Sequence, residues 1–311
     1  MKVCFVGAGS IGRRHIKNWV HLCEKHNVNC EVHLLRATNS CLPEEIKQLV
    51  NKQVKEIELL DTSYDVIFIT NPTNLHYQTI DQLKYLSKNF FVEKPVFETY
   101  AKDLKLLNLP PENKYYVACP LRYTQVLLYA KKIVQKEKVY SARAISSSYL
   151  PDWRKGIDYR NTYSAHKNEG GGVLIDLIHE WDYLVDLFGF PNETRMYYGK
   201  YSDLEIDSED LGIYIANYDD KLLEIHLDYL GKYAERKLEL RTDQGVYVFD
   251  IINARIEKNG KEIGSFNEKP NDKYEKEMEN FWNIIFGQTK NNNSLQTAIK
   301  VLSVAMGVQK E

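Results

Sequence analysis

Two periodicities divide the chain. Up to about residue 118, short and nearly unbroken apolar runs alternate with stretches in which apolar residues return every three or four positions. The runs lie at 2–6, 31–35, 65–69, 90–92 and 115–118, with a weaker one at 55–60. Continuous apolarity marks strands covered on both faces, and its alternation with helical patterns marks a doubly wound parallel sheet. Helices are expected over residues 16–26, 43–50, from a Thr73 or Asn74 cap to about 88, and 121–136. A long strand at 138–149 then leads to an irregular aromatic loop and a helix over 173–188. From Thr194 the period becomes two: Leu211, Ile213 and Ile215, then Leu223, Ile225, Leu227 and Tyr229, then Leu238 and Leu240 alternate with polar or small residues, and Gly245 turns into 246–251. That pattern predicts an antiparallel sheet with one buried face. Helices over 272–286 and 294–309 close the chain. The expected fold is α/β: a doubly wound parallel sheet over residues 1–120, and over 121–311 an α+β domain with an open, mostly antiparallel sheet. The final helix is expected to pack back on the first domain.

Composition sets bounds on this picture. With 41 Lys and Arg against 43 Asp and Glu among 311 residues, there is no global basic field for nucleic acid. No apolar run approaches the ~20 residues of a membrane span, and the chain opens on a strand pattern instead of a signal peptide. Cys4, Cys23, Cys30, Cys41 and Cys119 form no Cys-x-x-Cys pair. An odd number without metal spacing reads as reduced thiols in a cytoplasmic protein, and no metal site is expected.

The chemistry begins at Gly7-Ala8-Gly9-Ser10-Ile11-Gly12, between the first strand and the first helix. Gly7 permits a tight turn, Gly9 a close approach by a pyrophosphate, and Gly12 close packing of helix on strand. The helix N-terminus offers N–H groups to phosphates. Gly7, Gly9, Ser10, Ile11, Gly12 and Arg13 are therefore expected to line a dinucleotide. The second strand ends at Arg36, where an NAD-preferring fold usually carries an acid for the ribose hydroxyls. Arg36, with Thr38 and Ser40, leans the expectation toward NADP over NAD; a solvated strand-end cation is the alternative. Thr70-Asn71-Pro72, with His76, follows a central strand and should face the cofactor. Glu93-Lys94-Pro95 follows another, and a lysine partly desolvated or close to an oxidised nicotinamide can exchange a proton near neutral pH. In the loop at 149–164, Trp153 and Tyr163 are candidates to stack on a sugar ring, and Arg154 and Arg160 to hold a carboxylate or phosphate.

Four motifs together carry a resemblance: Gly7 to Gly12, Thr70-Asn71-Pro72-Thr73 with His76, Glu93-Lys94-Pro95, and Gly170-Gly171-Gly172-Val173-Leu174-Ile175-Asp176 with His179 and Asp182. In this order and spacing the sequence resembles the glucose-fructose oxidoreductase / inositol dehydrogenase / MocA family. The resemblance implies a Rossmann domain followed by an open antiparallel sheet, one face of which mediates dimers, so a homodimer or homotetramer is expected. It implies an NAD(P)-dependent oxidoreductase acting on a secondary alcohol or ketone of a sugar, sugar acid or nucleotide-sugar derivative. It places Lys94 near the nicotinamide, with a cis bond before Pro95, and assigns catalysis to Lys94, His179, Asp176 and Asp182. Asn71, His76, Glu93 and Arg122 should lie nearer the nicotinamide, and Thr70 and Pro72 beside them. One departure is visible. The family usually sets the histidine four residues after the aspartate, whereas Asp176 and His179 are three apart, so either Asp176 or Glu180 fills the acidic position. Two other activities stay open: a non-catalytic NADP-binding regulator of the same fold, and a redox-neutral enzyme that holds NAD tightly.

Overall fold

The computed structural model describes residues 1–37 and 41–308. They form two compact units: residues 1–118 with 274–299, and residues 119–273 with 300–308.

In the first unit β1 (Lys2–Val6), α1 (Ser10–Lys25), β2 (Glu31–Leu35), α2 (Glu44–Lys47), β3 (Lys52–Val54), β4 (Val66–Ile69), α3 (His76–Leu83), β5 (Asn89–Val92) and β6 (Lys114–Val117) follow in turn. All sheet pairs are parallel, in the order β3-β2-β1-β4-β5-β6. This is the doubly wound order, in which ligands meet the carboxyl ends of the strands. The apolar runs at 2–6, 31–35, 66–69 and 89–92 are buried almost throughout, as parallel strands require. The weaker run at 55–60 is not a strand. β3 is paired three residues earlier, and residues 57–59 make a 3-10 turn. Neither Thr73 nor Asn74 caps α3, because a 3-10 turn over Thr73–Leu75 intervenes.

In the second unit α4 (Gln125–Lys136), β7 (Val139–Ser147), α5 (Val173–Asp176), α6 (His179–Phe188), β8 (Glu193–Gly199), β9 (Leu211–Asn217), β10 (Leu222–Asp228), β11 (Glu235–Thr242), β12 (Gly245–Asp250), β13 (Arg255–Lys258) and β14 (Lys261–Ser265) build an eight-stranded sheet with helices. Its order is β14-β13-β12-β11-β7-β10-β9-β8; β7 pairs parallel with β10, and every other pair is antiparallel. Along β9, the buried Gly212, Tyr214 and Ala216 alternate with Ile213, Ile215 and Asn217, which are exposed. The sequence expectation for this strand inverts the pattern, because small and aromatic residues face inward here.

α7 (Asp272–Ile285) and α8 (Leu295–Ala305) end the described chain. Residues 274–299 belong to the first unit, so α7 is not part of the second domain as the sequence pattern places it. Phe281 packs with Trp19, Phe68, Phe91 and Tyr116 at 5.3–6.1 Å between ring centres, completing an aromatic layer over the parallel sheet.

Candidate active site

The glycine turn is built by hydrogen bonds from its neighbours. Gly7 N–H donates to Leu35 O at 2.9 Å, and its φ of +92° requires glycine. The Thr70 hydroxyl lies 3.0 Å from Val6 O and 2.9 Å from Gly7 O. A Cβ on Gly12 would stand 2.7 Å from Gly7 O and 2.8 Å from Thr70 Oγ1, so α1 is seated as close as a helix can come. Gly9 is different: beyond its chain neighbours, nothing among the described residues lies within 4 Å of its ideal Cβ, and Gly9 and Ser10 are exposed. α1 starts without a side-chain cap and without an acid in its first turn. Free N–H groups and a positive dipole end therefore border an open cradle, which fits a pyrophosphate.

Further along the carboxyl ends of the strands, Arg36 is buried and its N–H bonds Val54 O at 3.0 Å. Thr38 and Ser40 lie outside the described residues. Asn71 donates to Thr79 Oγ1 at 2.8 Å, while its buried Oδ1 meets no donor among the described residues. Pro72 and Arg13 keep part of their surface in solvent. Lys94 is half-buried, and its peptide bond to Pro95 is cis.

Two expected cofactor ligands are engaged elsewhere. His76 has no exposed surface; its Nδ1 lies 3.1 Å from Val96 O and its Nε2 3.0 Å from Asn71 O, so it binds main chain. Burial lowers its pKa, against the carbonyls that favour the proton. Glu93 is buried as well. Its Oε1 meets His15 Nε2 at 2.5 Å and its Oε2 accepts the Lys94 N–H at 3.0 Å. Burial works to raise the Glu93 pKa, but the His15 hydrogen bond and the charges of His15 and Lys94 outweigh it and hold the carboxyl below its ordinary value. His15 was not among the expected residues. Its place three residues after Gly12, on the inner face of α1, is the signal that could have found it.

In the second unit the helix expected over 173–188 is broken. Leu177, at φ −96° and ψ 25°, ends α5, and His179 opens α6. Asp176 and His179 therefore do not share one helix face, as their spacing predicts. Asp176 is buried and accepts from Tyr229 Oη at 2.6 Å. Around them stand three of the four expected substrate contacts. The Trp153 ring meets Tyr229 edge-on at 5.1 Å, and Trp153 Nε1 donates to Ser148 Oγ at 2.9 Å. Arg154 lies over the Tyr163 ring at 5.6 Å, and burial followed by the nearby Asp176 charge raises the Tyr163 pKa. Arg160 is elsewhere, paired with Asp158 at 2.7 Å and Glu205 at 3.2 Å.

The glycines of Gly170-Gly171-Gly172 admit the chain itself. A Cβ on Gly171 would strike Tyr163 O at 2.2 Å, and one on Gly172 would strike the Glu209 carboxylate at 2.1 Å. Glu209, raised in pKa mainly by burial, had no local signal in the sequence. Of the acids after His179, Glu180 is fully buried 2.9 Å from Arg236 Nε, facing the sheet. Asp182 is also committed. Arg122 Nε and Nη2 grip its two oxygens at 2.8 and 2.7 Å, and Arg122 Nη1 reaches Asp186 at 3.4 Å. Burial opposes the Arg122 charge, and the carboxylates overcome it and keep the guanidinium protonated. The structure thus joins an expected cofactor residue and an expected catalytic residue in one buried ion pair.

Residues 1–118 match the family GFO_IDH_MocA, described as an oxidoreductase family with an NAD-binding Rossmann fold. An uncharacterized oxidoreductase of Bacillus subtilis, YrbE, is 24% identical over 201 residues, which is 63% of this chain and 55% of that protein. The chain spans about half the length, or less, of the curated relatives it matches. Among solved structures, an oxidoreductase from Thermotoga maritima superposes with a TM-score of 0.84 at 19% identity, covering 99% of this chain and 95% of that one. The WlbA dehydrogenase from Bordetella pertussis, solved with NADH and UDP-GlcNAcA, gives 0.75 at 16% identity over 99% and 95%. These likenesses show that the fold extends over both units. The likeness to the GFO_IDH_MocA oxidoreductase family thus covers residues 1–118, the part of the chain that carries the parallel sheet.

Proposed function

We propose that the protein is an NAD(P)-dependent dehydrogenase acting on a secondary alcohol or ketone of a sugar, sugar acid or nucleotide sugar. The observation that carries it is the half-buried Lys94 at the carboxyl end of β5, in a sheet whose glycine turn keeps an open, uncapped helix N-terminus. A bound nicotinamide supplies hydride exchange with the substrate carbon. Gly9, Ser10, Ile11, Gly12 and Arg13 hold the pyrophosphate. The Lys94 amine takes the hydroxyl proton during oxidation and returns it during reduction, and its ammonium form steadies the developing oxyanion. His179 shares that proton. Asp176, oriented by Tyr229, grips a neighbouring hydroxyl, while Asp182 acts only through Arg122. Trp153 and Tyr163 stack on the sugar, and Arg154 meets an anionic group. Because Arg36 stands where the ribose acid would be, the cofactor is NADP over NAD.

Other parts of the reading rest on the surface. Tyr197, Ile213 and Ile215 expose apolar surface on neighbouring strands, which supports self-association into a dimer or tetramer. Five free cysteines support a reducing, cytoplasmic location, and no helix among the described residues is long and apolar enough to cross a membrane.

The test is a panel of neutral polyols, sugar acids and nucleotide sugars with NAD and NADP, followed by absorbance of the reduced nicotinamide. Lys94→Ala should keep cofactor affinity and lose about 10²–10⁴-fold in kcat. Turnover retained by that variant removes Lys94 from this role, and cofactor binding without turnover on any substrate favours the regulator.

A further inference from the structure

Two buried side chains, Glu93 and His76, bond the main chain to either side of Lys94, and a third, His15, holds Glu93; the roles above use none of them. Before it, Glu93 spans from His15 Nε2 to the Lys94 N–H. After it, His76 lies between Asn71 O and Val96 O, and its single N–H when neutral donates to one of them. His15 and His76 have no exposed surface, and Glu93 is 8% exposed. We propose that His15, Glu93 and His76 are positioning residues, a buried brace that fixes the Lys94 backbone relative to the glycine turn and the end of β4. The inference rests on the reading of Lys94 as the proton-exchanging group.

The physical argument starts from cost. A buried carboxylate is tolerated only when its oxygens are supplied with donors. Glu93 has one donor on each, and the second is the amide of the residue to be placed. His15 is itself held. It lies on α1, whose Gly12 cannot carry a Cβ without striking Gly7 O, and its ring meets Phe91 of β5 edge-on at 4.9 Å. His15 Nδ1 meets no partner among the described residues, so the ring is held through Nε2, its contact with Glu93. A displacement of the glycine turn is therefore transmitted through α1, His15 and Glu93 to Lys94. The cofactor's seat and the proton-exchanging lysine are one mechanical element. Catalytic groups gain from such bracing because a misplacement of about 1 Å can cost about 10²-fold in rate.

Backbone amide exchange at Lys94, followed by NMR on the protein without added cofactor, tests the brace independently of activity. His15→Ala does not touch Lys94, yet it should speed exchange at that amide about tenfold or more, as should Glu93→Ala, with the amides of Phe68 and Ile69 unchanged. Glu93→Gln can accept from the Lys94 N–H and, with the His15 proton moved to Nδ1, donate to Nε2, so it should restore most of the protection. In turnover, Glu93→Ala should lose about 10²-fold in kcat with cofactor KM within about threefold, and Glu93→Gln should recover at least about tenfold of that loss. Unchanged exchange at residue 94 in both alanine variants overturns the proposal, as does an equal rise at all three amides or a glutamine variant as impaired as the alanine. If Lys94→Ala retains turnover, the catalytic reading fails, while the exchange rates still decide the brace.

Discussion

Gly9→Ala separates cofactor binding from folding. Gly9 has φ −64° and ψ −173°, a conformation alanine adopts without strain. Its added methyl would meet no atom of the described residues within 4 Å beyond its chain neighbours. Loss of unfolded-chain entropy favours alanine by about 0.4–1 kcal/mol, and its poorer fit at a helix N-cap offsets this by a similar amount. The variant should therefore unfold within about 1 kcal/mol of the parent. Binding should behave otherwise. If the pyrophosphate lies on the N–H groups beside Gly9, the methyl occupies its path and removes about one charge-assisted hydrogen bond, worth about 1.5–3 kcal/mol. That corresponds to about 10- to 100-fold in Kd. Gly12→Ala is the control with the opposite signature. Its Cβ would press on Gly7 O at 2.7 Å and Thr70 Oγ1 at 2.8 Å, so about 1–3 kcal/mol of stability should be lost. Thermal unfolding and fluorescence titration with NADPH and NADH read both quantities. Gly9→Ala with stability and Kd both at parental values would refute the placement of the pyrophosphate.

Three further outcomes follow from the same geometry. Asp182→Ala removes the two-point partner of the buried Arg122 guanidinium and should cost about 3–5 kcal/mol in denaturant unfolding, whereas Arg160→Ala, in an exposed pair, should cost no more than about 1; comparable losses would show the buried pair to be less important than described. Arg36→Ala should raise the KM for NADP about tenfold or more and leave that for NAD within about threefold, as measured by initial rates with both cofactors; parallel changes would end the assignment of Arg36 to a 2′-phosphate. Glu93, held below its ordinary pKa by His15 and Lys94 against its burial, contributes its stability fully above the unfolded carboxyl value of about 4.3 and loses it as pH falls through the lower folded value. Melting temperatures between pH 7 and pH 3 should therefore fall more steeply in the parent than in Glu93→Gln, and identical slopes would remove Glu93 as a source.

The parallel sheet was legible because burial on both faces leaves long apolar runs, and at β1, β2 and β4 those runs are the strands to within a residue. The break between α5 and α6 was hidden. Leu174, Leu177, Ile178 and Trp181 keep a helical period through it, and all four are buried. The turn at Leu177 falls between Asp176 and His179. Long-range partners left no trace. Arg122 and Asp182 look like separate functional residues until the fold joins them across about 60 positions. Glu209 has meaning only beside Gly172. The apolar stripe of α7 announces a buried helix but not which sheet it covers, and Phe281 answers that by packing on Phe68 and Phe91.

The discontinuity of the first unit bears on how the chain matures. Residues 1–118 contain the whole parallel sheet, yet the aromatic layer over Trp19, Phe68, Phe91 and Tyr116 is closed only by Phe281, some 160 residues downstream. During synthesis at about 5–20 residues per second, that face stands uncovered for roughly 8–30 seconds while the intervening unit is made. The larger segment of the second unit, residues 119–273, thus interrupts the sequence of the first. Until α7 is made, the parallel sheet lacks the cover that Phe281 provides.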